Sequence, residues 1–208
     1  MSYLDIIPVP QQLRSKEALT RFIETGEQLL LENRFELTGI ADLAKLSQSS
    51  IGTFYRVLTD KETLFRVLFE KFREESISKM REVMAPERWT GSTVVEIADG
   101  YVRLLTEIFD KKEGLIRAMR IRSSSDPVYR EGLYLLNSYC LEVIRPLLMP
   151  CLDAIKHPKP YEAIEFGVSF LLGSLNYQNL AGSRVPEYVE AFPDELVLLF
   201  RRYLGLES

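Results

Sequence analysis

An all-α fold is predicted by three observations. Apolar residues recur at spacings of three and four through the long segments, the period of a helix with one buried face. Proline, glycine and clusters of Ser, Thr, Asp and Asn punctuate those segments where helices start and stop. No stretch shows the convincing period-two alternation of a half-buried strand.

The elements follow in order. Residues 1–13 contain Pro8 and Pro10 and read as an irregular arm. A first helix is expected from Lys16 to Asn33, with Leu19, Phe22, Ile23, Gly26, Leu29 and Leu30 as its apolar face. The segment Thr38 to Glu62 then reads as two short helices around a tight corner and the start of a third. Ile40, Leu43 and Ala44 share a face that Leu46 extends. The run Ser47-Gln48-Ser49-Ser50 offers helix-capping side chains. Phe54 and Leu58, four apart, point inward from the second short helix, and Ser50, Ile51, Thr53, Tyr55 and Arg56 stand on its other side. Asp60 before Lys61-Glu62 is an N-cap signature. It opens a long helix carrying Leu64, Phe65, Leu68, Phe72 and Ile77, which Pro86 ends.

A further helix is expected after Thr90-Gly91-Ser92, with Val95, Ala98, Val102, Leu105 and Phe109 inward, and a short one from Glu113 to Ile121. Ser123-Ser124-Ser125-Asp126-Pro127 is a loop and helix start with proline at the first helical position. The helix it opens runs to about Ile155, with a kink or break expected at Pro146 and Pro150. His157-Pro158-Lys159-Pro160 precedes the last pair, Pro160 to Leu180 and Asp194 to Leu204. The first of that pair carries Ala163, Phe166, Gly167, Phe170, Gly173, Ser174 and Tyr177 along one side, and the second carries Leu196, Leu199, Phe200 and Tyr203. About nine helices result. They divide into an arm over 1–13, a three-helix head over 14–60 and a helical body over 61–208.

Composition narrows the function. The chain has 208 residues, 46% of them hydrophobic, and a net charge of -4. That excludes a generally basic coater of nucleic acid but leaves room for a local basic face. Arg14, Lys16, Arg34, Lys45, Arg56 and Lys61 are its candidates, set against Glu17, Glu24, Glu27, Glu32, Glu36 and Asp42. The single histidine, His157, lies between prolines, no Glu-x-x-His pair occurs, and no glycine-rich phosphate loop is present. Cys140 and Cys151 have neither a CxxC partner nor a nearby histidine. An enzyme, a metal centre and a cofactor are therefore not expected. Eleven residues apart on one unbroken helix, the cysteines would stand about 16 Å apart along its axis, too far for a disulfide. The N-terminus lacks the basic and apolar regions of a signal peptide, and the apolar stretches read as short of a membrane span. A reducing, cytoplasmic setting is expected.

The run Leu43-Ala44-Lys45-Leu46-Ser47-Gln48-Ser49-Ser50-Ile51-Gly52-Thr53-Phe54-Tyr55-Arg56-Val57-Leu58-Thr59-Asp60-Lys61-Glu62 resembles the DNA-binding segment of the tetracycline-repressor (TetR) family. The family pattern is Ile-Ala-x-x-Ala-Gly-Val-Ser-x-Gly-Thr-Leu-Tyr-x-x-Phe-x-x-Lys-Glu. Ala44, Ser50, Gly52, Thr53, Tyr55, Lys61 and Glu62 match by identity, without a gap. Leu43, Phe54 and Leu58 are apolar substitutes. Gln48 stands at the usual turn glycine, Ser49 at the usual buried valine, Arg34 at the usual glycine between the first two helices, and Gly39 at the usual threonine or serine before the second. A glycine-free corner at Gln48 requires a left-handed non-glycine residue or another geometry.

The resemblance implies a helix-turn-helix head on a helical body that binds a ligand and dimerises. Lys45, Ser50, Ile51, Gly52, Thr53, Tyr55, Arg56 and Lys61 are the expected DNA-facing residues. Free N–H groups beginning at Ser50 suit a phosphate, and Gly52 lets the helix approach the duplex. Ile51 suits a thymine methyl, and Arg56 a guanine or a phosphate. Backbone contact by Tyr55 and Lys61 is carried over from the family; the alternatives are a packed aromatic for Tyr55 and a plain surface helix start for Lys61. For a small-molecule effector, Tyr101, Arg103, Met119, Arg120, Tyr139, Phe170 and Tyr177 are the candidates, with plain core packing or surface pairing as the other reading of each. Phe166, Gly167, Phe170, Gly173, Tyr177, Leu196, Leu199, Phe200 and Tyr203 are the expected homodimer interface. A palindromic operator on double-stranded DNA would suit such a dimer. The sequence-level conclusion is a ligand-released transcriptional repressor; the alternative is a helical interaction protein that has lost DNA binding.

Overall fold

The structure, a computed structural model, describes residues 6–7, 13–180 and 186–206. Of the expected arm over 1–13, only Ile6, Ile7 and Leu13 fall among them, and Ile7 is buried. Nine α-helices and no strand occur among the described residues: α1 (Leu13–Leu31), α2 (Ile40–Leu46), α3 (Ile51–Val57), α4 (Lys61–Val83), α5 (Val94–Phe109), α6 (Glu113–Ser123), α7 (Pro127–Leu148), α8 (Pro160–Leu180) and α9 (Pro186–Leu204). The all-α expectation stands.

Local chemistry places the ends. Thr93 and Glu96 cap α5 reciprocally: the Glu96 backbone N–H donates to the Thr93 hydroxyl, and the Thr93 N–H donates to the Glu96 carboxylate. Such a capping box satisfies two helix-end donors at once. Asp60 caps α4 by accepting from the Thr63 backbone N–H at 2.6 Å. Three expectations needed correction. The helix expected over Pro127 to Ile155 ends at Leu148, and Met149–Ala154 winds as a 3-10 turn in which Cys151 leaves helical backbone (φ -108, ψ 15). Pro150 cannot donate to a helical ladder, so the break falls there and not at Pro146. The two cysteines therefore do not share one unbroken helix, and both are free thiols. The last helix, Pro186–Leu204, is under way eight residues before the expected Asp194, and Pro193 lies inside it. Proline there removes the bond to the Val189 carbonyl, and that residue is exposed, so water can take its place. Finally, Pro127–Ala154 is long and apolar enough by length and composition to cross a membrane, contrary to expectation. Its inner face, Tyr129, Gly132, Leu136, Cys140 and Ile144, is buried within the helical bundle.

The chain divides into two compact units, residues 1–75 with 111–126 and residues 76–110 with 127–208. The 60/61 boundary read from the sequence thus differs from the observed division. The first fifteen residues of α4 and the whole of α6 pack with the head.

In the first unit, α1, α3 and α4 build an aromatic core. Phe22 meets Phe54 edge-on at 5.2 Å, and Phe35 lies 5.8 Å from Phe65. Leu19, Phe22, Ile23, Leu29, Leu30, Leu43, Ala44, Phe54, Leu58, Leu64, Phe65, Leu68 and Phe72 are all buried, as their spacing predicted; Leu46 is half exposed. The α6 helix lies so close to the end of α1 that a Cβ at Gly114 would stand 1.7 Å from the Leu30 carbonyl oxygen. Arg122 adds a second attachment. Its guanidinium donates to Glu36 at 2.7 Å and to Glu62 at 3.0 Å, and it covers the Phe65 ring at 3.8 Å.

In the second unit, α5 is the central helix, packed against α7, α8 and α9. The Tyr101 hydroxyl donates to the Cys140 carbonyl at 2.8 Å, and the Cys140 thiol meets Met80 Sδ at 3.7 Å. Burial pushes the Cys140 thiol up to about 12, so it is an inert core group. Gly167 of α8 admits Phe200 of α9, whose ring would stand 2.7 Å from a Cβ there. Arg201 of α9 forks onto Asp99 of α5.

Candidate nucleic-acid interface

The short helices α2 and α3 are joined by a four-residue turn, and its geometry decides where α3 points. Ser47 closes α2, Gln48 adopts φ 49, and Ser50 begins α3 in extended backbone. The Ser49 N–H donates to the Ala44 carbonyl at 2.9 Å and the Gln48 N–H to the Lys45 carbonyl at 3.0 Å. This pair of bonds is the Schellman arrangement that normally uses glycine at the left-handed position. The left-handed corner required of Gln48 is therefore present. A second one closes α1, at Asn33 (φ 56) and not at its neighbour Arg34. Gly39, where a hydroxyl residue is usual, leaves α2 with no side-chain cap.

α3 is presented outward on this frame. The Ser50 hydroxyl accepts from the Thr53 N–H at 3.0 Å and pairs with the Thr53 hydroxyl at 2.9 Å. Both hydroxyls are thus turned along the helix start. Phe54 and Val57 are buried, whereas Ile51 is 47% exposed and Tyr55 55% exposed, and Gly52 and Arg56 are exposed too. The Tyr55 ring meets Phe54 edge-on at 5.6 Å, so it packs on the core while the residue stays exposed. Lys45 is exposed on α2. Lys61 is half-buried: its ammonium donates to the Glu36 carbonyl at 3.0 Å and lies 4.8 Å from the centre of the Phe35 ring. Burial lowers its pKa below the ordinary lysine value, with Glu36 opposing. A turn-holding residue absent from the sequence reading is Arg21 of α1. Its Nε donates to the Ser47 carbonyl at 3.1 Å and its Nη2 to the Ser49 hydroxyl at 3.3 Å. Nothing local in the sequence flags a contact across 26 residues.

The effector candidates divide between the two units. Met119 and Arg120 belong to the first unit, where Met119 is buried and Arg120 exposed. In the second unit, Tyr101 is sealed in the core, Arg103 pairs with Asp194 at 2.8 Å, and Tyr139 lies 3.4 Å from Arg81 Nε. Phe170 and Tyr177 lie on the outer side of α8. They line an open groove of about 780 Å³ between α8 and α9, together with Gly173, Tyr188, Phe192 and Leu199.

The interface candidates split into two sets. Gly167, Leu196 and Phe200 are buried within the chain, where they seat α9 on its neighbours, so they are spent internally. Phe166, Phe170, Gly173, Tyr177 and Leu199 are exposed, and Tyr203 is partly covered by Phe166 and His157. The side of α8 read as one stripe is two adjacent stripes: positions 163 and 167 face inward, and 166, 170, 173 and 177 face out.

No family model and no curated protein matches this sequence. Solved structures do. A Mesorhizobium loti protein described as a TetR-family transcriptional regulator superposes with a TM-score of 0.64 at 18% identity, covering 92% of this chain and 98% of that one. GusR of Salmonella enterica gives 0.65 at 16% identity, covering 95% and 98%. The regulator FadR of Bacillus subtilis, in complex with stearoyl-CoA, gives 0.53 at 16% identity, covering 90% and 96%. Head and body taken together, the chain has the fold of the TetR-family transcriptional regulators.

Proposed function

We propose that the chain is a sequence-specific DNA-binding transcriptional regulator, acting as a homodimer and released from its operator by a small molecule. The observation that carries this reading is α3. It is a short helix, capped at Ser50 and pinned inward by Phe54 and Val57, that turns Ile51, Gly52, Tyr55 and Arg56 to solvent. Such a helix fits the major groove, where Ile51 meets a thymine methyl and Arg56 a guanine edge or a phosphate. Lys45, Tyr55 and Lys61 serve the phosphate backbone, Lys61 by exchanging the Glu36 carbonyl for a phosphate oxygen. Charge is divided in the sense this reading needs. The first unit has 15 Lys/Arg against 14 Asp/Glu and the second 11 against 16, so the acidic excess lies away from the head.

One α3 makes too few base contacts for tight specific binding, and two-fold symmetry doubles them. The exposed Phe166, Phe170, Tyr177 and Leu199 supply an apolar face for the second copy. Stearoyl-CoA bound to the FadR neighbour supports a small-molecule effector in the second unit of this chain. That effector acts only through a preference for the non-binding state, and a near-complete switch needs about 5.5 kcal/mol of it. A helical interaction protein without DNA binding is the second reading. It draws on Gln48 and Ser49, and the closed turn they form favours the first.

Selection of bound duplexes from random DNA tests the proposal. A palindromic sequence is expected to enrich, with half-sites roughly one helical turn apart, about 34–36 Å. Light scattering is expected to give twice the chain mass of 24.0 kDa. No enrichment, together with a monomer at micromolar concentration, would refute it.

A further inference from the structure

We infer that Arg21 is a positioning residue of the DNA reader: its guanidinium clasps the turn between α2 and α3 and so sets the direction of α3. This deepens the DNA-binding reading above and rests on it. A Schellman turn is ordinarily held by two features, a glycine that adopts the left-handed backbone freely and an apolar residue just after it that packs on the last turn of the helix. Here the left-handed residue is Gln48 and the residue after it is Ser49, so both supports are missing.

Four side chains, those of Arg21, Thr25, Ser47 and Ser49, stand in for them. Arg21 Nε donates to the Ser47 carbonyl, and Arg21 Nη2 donates to the Ser49 hydroxyl, at 3.1 and 3.3 Å. The Ser49 hydroxyl donates on to the Ser47 carbonyl at 3.2 Å. Thr25, one helical turn after Arg21 on the same face of α1, shares a 2.9 Å hydrogen bond with the buried Ser47 hydroxyl. Ser47 is the C-cap of α2, so its carbonyl is one of the unpaired acceptors at that helix end. A cation there also complements the helix dipole. Among the described residues, Arg21 pairs with no carboxylate; the turn is its partner. The guanidinium fork is what allows one side chain to hold both sides of Gln48, and a lysine ammonium lacks that geometry. Ser50, the cap of α3, follows Ser49 directly, so play in the clasp becomes play in the recognition helix.

The experiment uses the full-length chain, its selected duplex, and hydrogen exchange at the Gln48 and Ser49 amides. Arg21→Ala is expected to lower affinity for that duplex tenfold or more while the protein remains folded by circular dichroism, and to speed exchange at both amides. Arg21→Lys recovers only part of either effect. The triple variant Arg21→Ala, Gln48→Gly, Ser49→Val restores the ordinary supports, so both affinity and protection return although the arginine is still absent. A purely structural role for Arg21 in α1 would not be rescued by changes in the turn. Affinity within twofold of the parent after Arg21→Ala, or amides no less protected, overturns the inference. If the parent selects no DNA, the functional reading fails separately, and the exchange rates of the same variants still decide whether the clasp holds the turn.

Discussion

The corners that close α1 and α2 share one backbone design and differ in what supports it. At each, a non-glycine residue takes the left-handed conformation, and its own N–H and that of the next residue bond back into the preceding helix. At the first corner the residue is Asn33, a type that tolerates this conformation well. Its side chain accepts from Arg117 of α6 at 2.9 Å, and the buried Phe35 follows two residues later. At the second corner the residue is Gln48, which is not of that type, and Ser49 and Ser50 follow it, with no apolar residue before the exposed Ile51. The first corner is held by residue type and an adjoining helix, the second by a polar clasp. The contrast teaches that a turn signature can lose its glycine at little cost where asparagine and apolar packing take over, but needs a dedicated cation where they do not.

The largest expected effect lies beside the first corner. Gly114→Ala improves helix propensity by about 1 kcal/mol, but its new Cβ would stand 1.7 Å from the Leu30 carbonyl oxygen, which is backbone and cannot swing aside. The clash wins. Displacement of α6 from α1 is expected to destabilise the protein by roughly 3 kcal/mol, read as a fall in denaturant midpoint. An unchanged midpoint would show that the contact between these helices is loose.

A smaller effect separates the two corners directly. A left-handed non-glycine residue costs roughly 1–2 kcal/mol, while glycine adds about 0.4–1 kcal/mol of unfolded-state entropy. Gln48→Gly is therefore expected to stabilise by roughly 0.5–1 kcal/mol. Asn33→Gly gains less, because asparagine is already suited to the site, and it forfeits the Arg117 contact, so its net change is near zero or slightly destabilising. Thermal melts of the two variants check this ordering. Equal shifts would mean that the corners do not differ in strain.

Much of this was legible in the sequence, for reasons that the residues make plain. The head core was read correctly because Phe22, Leu43, Phe54, Leu64 and Phe65 are fixed by helical period and local punctuation. The missing glycine at Gln48 left two outcomes, a left-handed residue or another geometry, and the first is the one present. The clasp could not be read, since Arg21 meets Ser47 and Ser49 only after the helices pack. The attachment of α6 to the head was equally hidden, because Gly114 and Arg122 act on residues more than 50 positions away in the chain. In the body, the sequence placed α8 over about Pro160 to Leu180, but it could not divide Gly167, which faces Phe200, from Phe166 and Phe170, which face out. Adjacent stripes on a helix that is apolar nearly all round look alike in sequence. The start of α9 was placed eight residues late, at Asp194, whereas the helix runs through Pro193 from Pro186.

The central claim is that α3 reads DNA, and the most direct measurement is affinity for the selected duplex against a scrambled duplex of equal length across a salt series. The account predicts binding at least about a thousandfold tighter to the selected duplex at physiological salt, with both affinities falling steeply as salt rises. Equal affinity for the two duplexes, or binding indifferent to salt, would contradict it.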